Sequence, residues 1–173
     1  MNLIVTCARH LEGDTEDELI DILDELGDSD VKISVSSMSG IITAETKLDP
    51  IQVVRKMKEM LLDEPWSIRY CLRVIPIERV IETGIEEIEK TISSMSNQIE
   101  EKESYRILIE KRNSDISSKE VITKVANKIK NKVSLDFPDK IILIEILGIV
   151  TGISIIKKSD ILSLEKTKRS MSD

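Results

Sequence analysis

Aromatic rings are scarce in this chain. Its 173 residues include one Trp, two Tyr and one Phe, so the core has to be built from branched aliphatics. Isoleucine alone supplies 29 residues. Trp66, Tyr70, Tyr105 and Phe137 are expected inside that core as its only rings. Two cysteines, Cys7 and Cys71, fit neither a disulfide framework nor a metal knuckle and read as reduced, buried side chains. The single histidine, His10, follows a strand and reads as a surface or packing residue. With 4 prolines and 6 glycines the chain is not low-complexity, and its aliphatic content excludes disorder. No apolar run approaches the roughly 20 residues needed to cross a bilayer. The longest, over 141–156, is broken by Glu145, Gly148 and Gly152. No cleavable-signal pattern opens the chain. A folded, soluble, cytoplasmic protein is expected.

The net charge of −7 argues against a polyanion partner when taken whole. Divided along the chain, it does not. Residues 1–76 carry 8 basic and 15 acidic side chains, residues 77–101 carry 2 and 7, and residues 102–173 carry 15 and 10. A basic segment thus follows two acidic ones, and local potential governs partner binding more than the sum does. That excess is compatible with a polyanion, although charged faces also serve solubility alone.

The pattern of apolar residues predicts two domains, 1–76 and 77–164, with a flexible polar tail over 165–173. The first reads β-α-β-β-α-β. Strands are expected over 2–8, 31–35, 41–45 and 68–75. One helix, opened by a capping box of Thr15 and Glu18, runs to Gly27; the other is opened by Asp49 and Pro50. That order points to a ferredoxin-like split βαβ fold. The second domain opens with a helix over 84–99, capped by Thr83. A strand over 105–110, a polar turn over 111–115 and a helix from Ser117 to Asn131 follow. Two strands joined near Gly148 complete it. The fold class is α+β.

The second domain resembles a THUMP domain, an RNA-binding module of tRNA-modifying enzymes. The resemblance is carried by Tyr105-Arg-Ile-Leu-Ile-Glu-Lys-Arg-Asn113, the lysine-rich helix, Lys132-Val-Ser-Leu-Asp-Phe-Pro-Asp139, Ile141-Ile-Leu-Ile-Glu-Ile and Gly152-Ile-Ser-Ile-Ile156. With the acidic domain in front, the whole resembles the stand-alone proteins linked to tRNA cytidine acetylation. The resemblance implies an adaptor, not an enzyme. It would bind tRNA, through the acceptor 3′ end, and present it to a separate cytidine N4-acetyltransferase that uses acetyl-CoA and ATP. The expected partners are tRNA and that RNA acetyltransferase, without membrane or DNA. No cofactor and no metal are expected of the chain itself, since it carries neither a GxxxxGK[ST] loop nor a glycine-rich acetyl-CoA loop. Two alternatives stay open: a protein-interaction module without RNA, and a THUMP-containing RNA-modifying enzyme in its own right.

Phosphate contacts would come from Lys111, Arg112 and Asn113 at the end of a strand, and from Lys119, Lys124, Lys128 and Lys132 along and beyond the helix. Lys157 and Lys158 after the last strand, and Arg73 near the domain junction, complete the set. Solvated turns and helix C-terminal lysines would give the same residues without RNA. Arg106, within a strand, would pair with a carboxylate on a neighbouring strand. The carboxylate-rich helix face of Asp14, Asp17, Asp21 and Asp24 lacks the convergence from separate elements that a metal or an acid–base pair needs.

Overall fold

The computed structural model describes residues 1–172. In chain order its elements are β1 (Leu3–Thr6), α1 (Glu12–Leu26), β2 (Lys32–Val35), β3 (Ile41–Glu45), α2 (Pro50–Asp63) and β4 (Arg73–Pro76). Then come β5 (Arg79–Glu82), α3 (Ile85–Met95), β6 (Tyr105–Arg112), α4 (Ser118–Lys128), β7 (Lys140–Leu147), β8 (Val150–Ile156), β9 (Leu162–Ser163) and α5 (Leu164–Met171). They form an α+β fold in two units: Met1–Ile77 together with the segment from Ser159, and Glu78–Lys158.

The first unit is a five-stranded antiparallel sheet in the order β2-β3-β1-β4-β9. Leu19, Ile22 and Leu23 of α1 and Val53, Val54, Met57 and Leu61 of α2 lie three or four residues apart. Each set forms one apolar stripe, buried with Leu3, Val5, Ile42 and Val74 of the sheet. Helix α1 ends where Gly27 takes φ +113°, open to glycine at little cost, and Asp28 N–H then reaches the Leu23 carbonyl at 2.8 Å. Asp49 caps α2, its carboxylate accepting from the N–H groups of Ile51 (2.9 Å) and Gln52 (3.3 Å).

The beginning of α1 departs from expectation. The helix starts at Glu12, so Thr15 lies inside it, and its hydroxyl donates to the Leu11 carbonyl at 2.6 Å. Glu18 caps nothing locally. Its carboxylate accepts from the backbone N–H groups of Arg69, Tyr70 and Cys71 at 2.9–3.0 Å and fixes the segment that leads into β4. That segment satisfies its backbone on a side chain, which is why β4 begins at Arg73 and not at residue 68.

The expected frayed tail is also corrected. Leu162 pairs with Val74 in the sheet, and Leu164 and Met171, two helical turns apart on α5, pack into the first core. Asp160, 3% exposed, accepts from Arg55 Nε of α2 at 3.1 Å, and Lys58 donates to the Ser159 carbonyl.

The second unit is a four-stranded sheet, β5-β8-β7-β6, in which β6 and β7 are parallel and the other neighbours antiparallel. Helices α3 and α4 bury Ile88, Ile92, Met95, Val121 and Val125 against Tyr105, Ile142, Ile144, Ile146, Ile153 and Ile155. On β7 the alternate residues Ile141, Leu143, Glu145 and Leu147 are buried too, which accounts for its nearly unbroken apolar run. Strand β5 has no counterpart among the expected elements. Helix α3 gives way at Met95 to a 3₁₀ turn, Ser96–Gln98, and its N-terminus has no side-chain cap, because Thr83 Oγ1 instead meets Thr151 Oγ1 at 2.8 Å. Of the four rings only Tyr105 is a core residue. Tyr70 is half-buried, and Trp66 and Phe137 are 70% and 89% exposed.

Asp28 ties the end of α1 to the loop before α2. Its carboxylate accepts from Thr46 Oγ1 (2.6 Å), Lys47 N (3.0 Å) and Asp30 N (3.1 Å), and the Thr46 hydroxyl leads the causes that hold its pKa below the ordinary value. A depressed carboxylate stabilises the fold above its unfolded-state pKa, and the benefit disappears as pH falls through its folded-state pKa. Asp28→Asn, whose amide turns a donor toward these donors, is expected to cost about 2 kcal/mol at pH 7. In urea titrations the gap from the wild type should close in strong acid; a gap independent of pH would contradict this assignment.

Candidate nucleic-acid interface

The cations expected to bind RNA are distributed by the register of three strands. β6 and β7 run together from Tyr105↔Lys140 to Arg112↔Leu147, and β8 returns from Val150, opposite Leu147, to Ile156, opposite Ile141. The end where β6 starts therefore carries Lys132, whose carbonyl accepts from Tyr105 N at 3.0 Å, and Lys157 and Lys158, which follow β8. Lys111, Arg112 and Asn113 lie at the opposite end. Seven strand steps put roughly 23 Å between the two groups, so the expected residues do not make one patch.

At the far end the side chains have local partners. Lys111 and Arg112 belong to β6 itself, not to the turn after it. Lys111 Nζ donates back to the Ile116 carbonyl at 2.9 Å. Arg112 Nη1 lies 3.6 Å from Glu145 Oε2, a carboxylate on a residue only 1% exposed. Asn113 takes φ +53°, turning the chain toward α4, where Ser117 accepts from Glu120 N at 3.2 Å as the N-cap.

The expected lysine ridge is divided. Lys119 and Lys124 are five residues apart, about 140° around the helix. Lys124 and Lys128 do share a face, and with Glu86, Glu89, Lys90 and Ser93 of α3 they line one open hollow. Lys128 Nζ is 3.7 Å from Glu89 Oε1. The second unit as a whole holds 14 basic and 14 acidic side chains. The basic excess visible along the sequence is thus offset by acidic residues of the same unit, α3 among them. Arg73 lies half-buried on β4 of the first unit.

The end of the sheet that carries Lys132 is differently arranged. Two of its carboxylates serve the fold. Asp139 accepts from Ser104 N (2.8 Å) and Oγ (3.1 Å), Glu103 accepts from Glu100 N (2.9 Å) and Lys140 Nζ (3.0 Å), and these bonds lower both pKa values. Lys132, Lys157 and Lys158 are exposed there. Arg106, also exposed, donates through Nη1 to the Leu135 carbonyl at 3.1 Å instead of pairing with a carboxylate on a neighbouring strand. Val133, Leu135 and Phe137 of the loop before β7 are 50%, 66% and 89% exposed. Beyond Lys132, sequence reasoning used this loop only for the family resemblance, placed Phe137 in the core, and gave neither it nor Glu145 a role at a site. The signals were a lone ring between Asp136 and Pro138, and a carboxylate inside an isoleucine strand.

The remaining candidates stay apart. Cys7 and Cys71 are free and buried; burial, with the Glu18 carboxylate beside it, pushes the Cys71 thiol well up. Among the described residues no group of His, Cys, Asp and Glu could hold a metal ion, and no helix is long and apolar enough to cross a membrane.

Residues 82–156 match the THUMP domain family, and the chain contains a THUMP domain. No curated protein matches the sequence. Solved structures do share the fold. PH1313 from Pyrococcus horikoshii Ot3 is 20% identical, with a TM-score of 0.61 over 91% of this chain and 55% of its own. TrmN from Thermus thermophilus is 13% identical, with a TM-score of 0.60 over 88% and 44%. A possible methylase from Clostridium difficile 630 is 19% identical, with a TM-score of 0.57 over 90% and 40%. The chain spans about half the length of the structures it matches. These findings overturn the expected non-enzymatic adaptor to a cytidine N4-acetyltransferase. The shared fold recurs in larger chains, and the one activity named among these three is that of a possible methylase.

The two kinds of ion pair should separate on mutation. Arg112→Ala leaves the buried Glu145 carboxylate without its guanidinium and should cost about 3 kcal/mol in denaturant unfolding. Lys128→Ala breaks an exposed pair and should cost under about 1 kcal/mol. Equal costs would remove the structural role assigned to Arg112.

Proposed function

We propose that this chain works as the RNA-holding part of an RNA-modifying enzyme, and that the surface in contact with RNA is the end of the second sheet bearing Lys132, Lys157 and Lys158. The THUMP match over residues 82–156 carries the reading. The fold shared with a possible methylase over 90% of this chain supports modification over delivery to an acetyltransferase. In that reading these residues bind and orient the RNA, the share of the work that falls to them in a chain of that kind.

The choice of surface follows from electrostatics. A phosphate gains little from a cation that already faces carboxylates or holds the fold. Lys124 and Lys128 face the glutamates of α3, and Lys111 and Arg112 hold the fold at the other end. These four, with Asn113, Lys119 and Arg73, serve at most as secondary contacts. The first unit, with strand order β2-β3-β1-β4 and both crossovers split by an intervening strand, is proposed as a ferredoxin-like domain. Its 18 acidic residues against 11 basic ones give RNA reason to avoid it.

Filter binding with tRNA at low salt tests the assignment. Lys132→Glu with Lys158→Glu should weaken binding about tenfold or more and flatten the dependence of log affinity on log salt. Lys124→Glu with Lys128→Glu should change affinity by less than about threefold. The reverse order would move the interface onto α4, and no binding of tRNA by the wild type would overturn the RNA reading itself.

A further inference from the structure

Phe137 is the most exposed large apolar residue described, at 89% of its surface. An exposed ring on a loose loop would mean little, because it can fold down onto the nearest apolar surface. This loop is held at several points. Ser134 N donates to the Tyr105 carbonyl at 2.9 Å and Phe137 N to Ser134 Oγ at 3.2 Å. Arg106 Nη1 holds the Leu135 carbonyl at 3.1 Å, and Asp139 N donates to the Ser104 carbonyl at 3.1 Å. Pro138, directly after the ring, removes one further backbone freedom. The ring is thus presented to solvent by a loop held at four points, with the exposed Asp136 directly before it.

Its surroundings suit one kind of occupant. Leu135 and Val133 continue the apolar surface, exposed at 66% and 50%; the exposed cation Arg106 reaches the Leu135 carbonyl, and Lys132, also exposed, directly precedes Val133. The carboxylates of Glu103 and Asp139 nearby are engaged in internal hydrogen bonds. A flat ring beside guanidinium and ammonium groups is the arrangement that binds unpaired nucleotides, with the base stacked on the ring and its phosphates on the cations. An apolar protein partner would not use the flanking charge.

Resting on the RNA reading above, we propose that the Phe137 loop is a stacking platform for an unpaired nucleobase, so that the second unit distinguishes single-stranded from duplex RNA through this ring. The phosphates that flank the stacked base lie on Arg106 and Lys132.

The test uses the full chain and short RNAs carrying 2-aminopurine, single-stranded or annealed to a complement. The wild type should bind the single strand with a change in 2-aminopurine emission that marks stacking. Phe137→Ala should lose about tenfold in affinity for the single strand, and the emission change with it, while duplex affinity and thermal midpoint stay put. Phe137→Trp should restore both. Wild-type affinity in Phe137→Ala, or equal losses on single strand and duplex, would overturn the platform. So would a wild-type dimer in sedimentation that Phe137→Ala abolishes, since the ring would then serve self-association. Binding of duplex but not single strand by the wild type would sink this inference and leave RNA binding standing. Binding of neither would sink both.

Discussion

Two parallel strands cannot be joined by a tight turn, and the pairing of β6 with β7 sets the surface of the second unit for that reason. After Arg112 the chain must travel back the length of the sheet before β7 can start beside Tyr105. The crossover does so as α4 followed by the loop over 129–139. Its cations are therefore spread from one end of the sheet to the other, and residues close in sequence to Lys111 finish far from it. Tyr105 is where the return closes. Its backbone groups bond Lys132 and Ser134, and its ring is 1% exposed in the core. The loop that presents Phe137 is anchored on the most tightly packed ring of the unit.

Electrostatics follows from the same packing. Helix α3 has to lie beside α4 because both bury isoleucine and valine stripes on one face of the sheet. Once there, its glutamates face the lysines of α4 across an open hollow. The pairing adds little stability, since exposed ion pairs contribute little, but it removes the positive potential a phosphate would seek. At the end of the sheet where β6 begins, Asp139 and Glu103 are engaged by backbone N–H groups and Lys140, and Lys132, Lys157 and Lys158 are exposed.

Local patterns were legible in the sequence, and long-range ones were not. The Asp49 and Ser117 caps and the Gly27 stop depend on residues within a few positions, and they stand where the spacing placed them. Glu18 looked like the second half of a capping box, but its three partners are 51 to 53 residues away. Strand β5 exists only through β8, about 70 residues on, and four residues, Arg-Val-Ile-Glu, before a helix carry no independent signal. The C-terminal helix was hidden because one leucine and one methionine two turns apart do not read as a stripe until the core they meet is known. At the interface the residue types were visible while their grouping was not. Charge counted along the chain gave a basic half that the fold neutralises. The expectation that scarce rings must be core failed at Trp66 and Phe137, because branched aliphatics fill both cores without them.

The central claim is that RNA lies across the end of the sheet where β6 begins. Ultraviolet cross-linking of the full chain to tRNA, with the linked peptides mapped by mass spectrometry, tests it most directly. The account predicts cross-links within residues 132–140 and at 157–158, with few on α4. Cross-links concentrated on α4 between Lys119 and Lys128, or on the acidic first unit, would contradict it.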